Sequence, residues 1–121
     1  MGLTDFPLGG YAYAGNLVSA ALDDIEDTTP VLLIPAPTGI NEELYITTLS
    51  VTNNHDTVST VVKLTDGLNG ETKWRANAAK EGGGFALDFP APLMFSAKTA
   101  IYVVCETTGA KVQVSACGFK A

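Results

Sequence analysis

Gly82-Gly-Gly-Phe-Ala-Leu-Asp-Phe-Pro-Ala-Pro92, running on into Leu93, Met94 and Phe95, is the stretch whose reading decides the fold class. Three glycines allow positive φ, Phe85, Leu87 and Phe89 then alternate with Ala86 and Asp88, and two prolines follow. The spacing predicts one short strand with an apolar aromatic face, expected to anchor the core of a small β domain, with pairing ending at the prolines.

Downstream, Thr99 to Glu106 is nearly continuously apolar through Ile101-Tyr-Val-Val104, as in a strand covered on both faces or touching a neighbouring subunit. Val112, Val114 and Ala116 alternate with Lys111, Gln113 and Ser115 in a last strand, which could form a hairpin with its predecessor about Thr108-Gly109-Ala110. In that hairpin Cys105 and Cys117 are separated by more than ~10 Å, so free buried thiols in a reducing compartment are expected instead of a disulfide.

Upstream, Thr72 to Ala76 carries Trp74, the only tryptophan, and Asp66-Gly67 with Asn69-Gly70 marks the turn before it. Val58, Thr60, Val62 and Leu64 alternate as another strand, expected to pair as a hairpin with the one before it. In that earlier strand, Glu43 to Thr52, Leu44 and Ile46 share one face while Leu49 and Val51 share the other. The inward face therefore switches near Thr47-Thr48, through either a bulge or a crossing between sheets. Val31-Leu-Leu-Ile34 lies between prolines, which suits an edge strand.

Residues 1–29 have no clear period. Gly9, Gly10 and Gly15 punctuate Tyr11 and Tyr13, Asn16 to Leu22 fits a short helix or a strand, and Asp23-Asp-Ile-Glu-Asp27 follows. Two domains of organisation result: an extended N-terminal arm over 1–29, expected to gain order on a partner unless it supplies the first strands, and a β-sandwich domain over 30–121. Seven or eight short strands at intervals of roughly 8 to 12 residues predict an all-β fold, an antiparallel β-sandwich resembling a jelly roll.

With 121 residues the chain is one domain long, and 46% hydrophobic with 17% charged residues makes it a folded chain with much neutral surface for packing against neighbours. Thirteen acidic against seven basic residues give net charge −6 without any basic stripe, which argues against nucleic acid. No apolar run approaches the ~20 residues that span a bilayer, the N-terminus lacks a secretory leader, and Phe6 stands where a myristoylation motif needs Ser or Thr. No membrane association is expected, and the whole chain is expected to be the mature one.

Few residues suit catalysis. His55, the one histidine, sits in the turn Asn53-Asn-His-Asp-Thr57, and no serine on a sharp elbow accompanies it. Asp88 is the best carboxylate for an acid pair, yet an outward acid on a strand is ordinarily just solvated. Gly82 to Gly84 lack the Lys-Ser or Lys-Thr of a phosphate loop, two thiols and one histidine cannot hold zinc, and Asp23 to Asp27 lack the ligand alternation of a calcium loop. The expectation is no enzyme, no cofactor and no metal. Trp74, beside Lys73 and Arg75, either stacks a sugar or packs in the core or a subunit contact.

Ile34-Pro-Ala-Pro37, Leu44-Tyr-Ile-Thr-Thr-Leu-Ser-Val-Thr-Asn53, Val61-Val-Lys-Leu-Thr-Asp-Gly67, the Gly82 to Leu93 run and Val112-Gln-Val-Ser-Ala-Cys-Gly-Phe119 together resemble small β-sandwich virion proteins of tailed bacteriophages. The likeness covers about residues 30–119. It implies a head decoration (cement) protein that stabilises the capsid or, as the alternative, a tail-associated receptor- or carbohydrate-binding module. It implies the major capsid protein and copies of the chain itself, as a homotrimer, for partners, and the virion as location after synthesis in the host cytoplasm. The residues expected to touch partners are Tyr11, Tyr13, Leu17, Trp74 and Tyr102.

Overall fold

A computed structural model describes residues 16–121. Among these residues eight strands follow one another: β1 (Leu17–Ile25), β2 (Val31–Ile34), β3 (Leu44–Asn53), β4 (Thr60–Asp66), β5 (Glu71–Ala78), β6 (Gly83–Met94), β7 (Ile101–Cys105) and β8 (Val112–Lys120). No helix occurs among the described residues. The strands make two four-stranded antiparallel sheets, β1-β8-β3-β6 and β2-β7-β4-β5. The first strand pairs with the last, the second with the seventh, the third with the sixth and the fourth with the fifth. The chain therefore runs as one long folded-back ribbon wrapped into two layers.

Alternation fills the space between the layers. β3 and β8 present Ile46, Leu49, Val51, Val112 and Val114, and β4 and β7 present Val62, Leu64, Ile101 and Val103, all buried in one cluster. Phe95, just beyond β6, is the largest fully buried side chain and closes one end of that cluster. Burying one such side chain is worth about 1.5–3 kcal/mol over leaving it exposed.

The face switch in β3 is a bulge. Against β8, Ile46↔Gly118 is followed directly by Thr48↔Cys117, so Thr47 is the extra residue and Ile46 and Leu49 both face inward; against β6 the same step runs from Leu93 to Asp88, and there the extra residues are on β6. At this level β8 runs so close that a Cβ on Gly118 would overlap the Tyr45 carbonyl oxygen, so only glycine fits there.

Several expectations change. The Gly82 to Pro92 stretch is a strand, but β6 lies at the sheet's edge, where Phe85, Leu87 and Phe89 are only half-buried, and the core belongs to the inner strands. Its prolines do not end it: pairing lapses between Asp88 and Leu93, then resumes to Met94. An edge tolerates this because Pro90 and Pro92, which have no N–H, have no strand to serve on the open side.

The hairpin expected of the third and fourth strands does not form, nor does the one considered for the last two. β3 and β4 lie in different sheets, as do β7 and β8, because each connection crosses from one layer to the other. Of the two free thiols, Cys105 is buried and Cys117 is exposed, on strands of opposite layers, which corrects the expectation that both are buried. Leu17–Ile25, assigned to the arm, is strand β1, held by β8 from Leu17↔Phe119 to Ile25↔Val112. The remainder of the expected arm, residues 1–15 with Tyr11 and Tyr13, lies outside the described residues.

Candidate functional site

The antiparallel wrap sorts the loops onto two ends, and the ends differ in chemistry. One end collects the connections after β1, β3, β5 and β7. At its centre stands Asn53, fully buried, the inward residue at the end of β3. Its Nδ2 donates to the carbonyls of Val58 (2.8 Å) and Ala78 (3.0 Å), and its Oδ1 accepts from the backbone N–H of His55 (3.1 Å) and Lys111 (3.2 Å). One amide side chain thereby ties the β3–β4 loop, the end of β5 and the β7–β8 loop together with all of its strongest hydrogen-bonding capacity in use.

His55 belongs to the same clasp. Its Nδ1 accepts from the N–H groups of Thr57 and Val58, each at 3.1 Å, so that nitrogen shapes a turn and is occupied. Ser59, the nearest serine in sequence, accepts from the Lys80 N–H through its Oγ at 3.0 Å. No acyl-transfer constellation is assembled from these groups.

The other end receives Asn16 and Ala121 together with the connections after β2, β4 and β6. Across the outer face of the β1-β8-β3-β6 sheet, the register lines up Leu17, Phe119, Tyr45 and Met94 in one cross-strand row. Phe119 and Tyr45 stack with ring centroids 4.9 Å apart and planes 11° from parallel, and the row's two ends, Leu17 and Met94, are 65% and 53% exposed. Offset-stacked pairs of this kind contribute about 0.5–1.5 kcal/mol beyond burial. The Tyr45 hydroxyl donates to Glu43 Oε1 at 2.8 Å, and this bond to a carboxylate, followed by burial and the Glu43 charge, raises its pKa.

Ile40, in the loop before β3, and Leu68, in the β4–β5 turn, are exposed at the same end. Of the five large apolar side chains exposed among the described residues, four are here: Leu17, Ile40, Leu68 and Met94. A groove of about 430 Å³ runs between the start of β1 and the loop after β2, lined by Leu17, Val18, Pro35, Pro37 and Lys120 among others. Inward from the row, the outer sheet face continues with short side chains, Ser19–Cys117–Thr48–Asp88 and then Ala21–Ser115–Ser50–Ala86. This floor of short side chains holds a shallow hollow of about 160 Å³ lined by Thr48, Ser50, Ala86, Asp88, Ser115 and Cys117, and a floor of that kind bordered by an apolar rim is suited to contact with another protein surface.

The expected contact residues are scattered over this framework. Leu17 is in the apolar row. Trp74 is half-buried on β5 opposite Leu64, edge-on to Phe85 at 5.2 Å and 68°, so it bridges the two layers at their β5–β6 side and its ring is engaged. Tyr102 faces outward on the other sheet, opposite Leu32 of β2. These three do not converge, and Asp88 lies exposed on the outer face opposite Thr48.

Sequence reading missed Phe119, Tyr45 and Met94 as one surface because they come from three strands, and missed Asn53 as a hub because asparagine in a turn-rich segment reads as a turn residue. The groups of acids, cysteines and histidine that could hold a metal ion number none among the described residues. No protein-family model matches the chain, and no curated protein matches it either.

Proposed function

We propose that this chain is a structural virion subunit, a capsid decoration protein that attaches to the major capsid protein and to copies of itself and acts by holding on, without turnover. The observation that carries this reading is the apolar end: the Leu17–Phe119–Tyr45–Met94 row, with Ile40 and Leu68 on the same rim. Large apolar side chains gathered at one end of a well-packed body are the form that a protein-contact surface takes, whereas the same residues scattered singly would need no explanation. The sequence resemblance to small β-sandwich virion proteins of tailed bacteriophages, which serve in the head or the tail, is what suggests the major capsid protein as partner.

The jelly-roll reading of the fold belongs to the same proposal. What supports it is the wrapping of an eight-stranded ribbon, first strand on last and fourth on fifth, into two four-stranded sheets. Many weak contacts of one rim, repeated over a symmetric shell, add through avidity, so each single contact can be modest.

The test is co-sedimentation of purified protein with expanded capsids. Wild type should pellet with capsids and raise their resistance to heat, and the double variant Leu17→Asp with Met94→Asp should remain in the supernatant while keeping its own melting temperature within a few degrees. Failure of the wild type to pellet with any expanded capsid overturns the reading.

A further inference from the structure

Among the described residues, four strands form the edges of the two sheets: β1 and β6 in one, β2 and β5 in the other. An edge strand offers unpaired N–H and C=O groups to any extended chain, and folded proteins blunt such edges with short length, proline, bulges or basic side chains. Three of the four edges here are blunted. β2 has four residues between Pro30 and Pro35, β5 carries Lys73 and Arg75, and β6 carries Pro90 and Pro92 where its pairing lapses.

β1 has none of these devices before its end. Over Leu17 to Leu22 it contains no proline, glycine or charge and pairs with β8 without a break. Its core-facing residues Val18, Ala20 and Leu22 pack on the core yet are only half-buried, so the layer is open along this side. We propose that the free edge of β1 pairs antiparallel with β1 of a second copy of this chain, about a twofold axis at Ala21.

The charge order of the strand selects this occupant and direction. Asp23 and Asp24 sit at one end of β1 and neutral residues at the other. Antiparallel self-pairing centred on Ala21 brings Asp23 to the level of Ser19, with Asp24 in the irregularity that ends the regular register, whereas parallel in-register pairing would stack carboxylate on carboxylate. Outward Ser19, Ala21 and Asp23 meet outward residues, and inward Ala20 meets inward Leu22, so both copies keep their core sides together. An isologous contact also closes on itself: the eight-stranded sheet it makes ends at β6 on both sides, a blunted edge, so pairing stops at two. The unit is a dimer, not the trimer that the resemblance implies. It does not depend on capsid binding, and the two experiments fail separately.

The test is the mass of the full chain by sedimentation equilibrium and native mass spectrometry, with variants on the exposed residues of β1. The wild type is expected to be a dimer at high micromolar concentration, and Ala21→Lys, which sets two lysines opposite each other across the axis, is expected to halve the mass with an unchanged circular-dichroism spectrum. In a Cys117→Ser background, Ala21→Cys is expected to oxidise to a disulfide-linked dimer, since directly opposed residues bring Cα atoms within disulfide range, while Ser19→Cys, displaced four residues from its counterpart, is not. A monomeric wild type, an oligomer that Ala21→Lys leaves intact, or cross-linking at 19 as efficient as at 21 would each overturn the proposal.

Discussion

The two ends of this body are built from the same ribbon and do opposite things. At the Asn53 end the loops are sewn together by hydrogen bonds: Asn53 to four backbone groups, Gly82 N–H to the Asn53 carbonyl at 2.7 Å, Glu81 N–H to the His55 carbonyl at 2.7 Å and Gly109 N–H to the Glu26 carbonyl at 2.9 Å. At the other end Phe95 closes the core while Leu17, Ile40, Leu68 and Met94 remain exposed. One end has its polar groups satisfied internally, so change there is felt as lost stability. The other carries apolar surface unmatched within the described residues, so change there is felt as lost association.

The sharpest way to break that contrast is Asn53→Ala. Two carbonyls and two N–H groups lose their partner in a buried setting, and a loss of about 4 kcal/mol is expected, a fall in melting temperature of roughly 15 °C. Thermal unfolding followed by circular dichroism checks it; a fall of only a degree or two would show that water replaces the side chain and that the end is not sealed.

Alkaline pH probes the same end less severely. Cys105, the last residue of β7, has its thiol pKa raised from 9.0 to about 11, first by burial and then by the charge of Asp27. Because the folded form holds its proton more tightly than the unfolded chain, this contribution is intact below pH 9 and is lost as pH rises through 11. The loss amounts to about 2–3 kcal/mol. Urea titrations at pH 8 and pH 11, compared between wild type and Cys105→Ala, should show the extra alkaline sensitivity only in the wild type.

Reagent access separates the two thiols without any change in fold. At pH 8 an alkylating reagent should modify Cys117 on the outer face quickly and Cys105 only after denaturation, giving one adduct by mass spectrometry in the folded protein. The smallest stability effect is expected at the apolar rim. Leu17→Ser with Met94→Ser should shift unfolding by less than about 1 kcal/mol, since both side chains are more than half exposed. A loss as large as that of Asn53→Ala would mean the rim is part of the core and would remove it as a docking surface.

Alternation made much of the fold legible. The strands at Val31, Glu43, Val58, Thr72, Thr99 and Val112 were readable from period and turn residues, and the face switch at Thr47 was readable because Leu44 and Ile46 fall out of phase with Leu49 and Val51, although only the ladder to β8 decides for a bulge over a crossing between sheets. The anchor stretch misled for a physical reason: aromatic density signals burial, but β6 meets the core along one face at an edge, and its prolines record that edge instead of an ending. Asn16 to Leu22 stayed ambiguous between helix and strand because Ala20, Ala21 and Leu22 suit either, and only the ladder to β8 resolves it.

What the amino-acid order determined by itself was local: which segments extend, which side chains of each strand share a face, and where turns interrupt them. The period of two depends only on each residue's own neighbours along the chain. Which strand lies beside which was decided by the tertiary wrap alone, because the ladder joins backbone groups that are the same for every residue. That wrap sent β3 to β6 and β8 instead of to β4, brought Leu17, Phe119, Tyr45 and Met94 into one row, and set Asn53 between two loops and the end of β5.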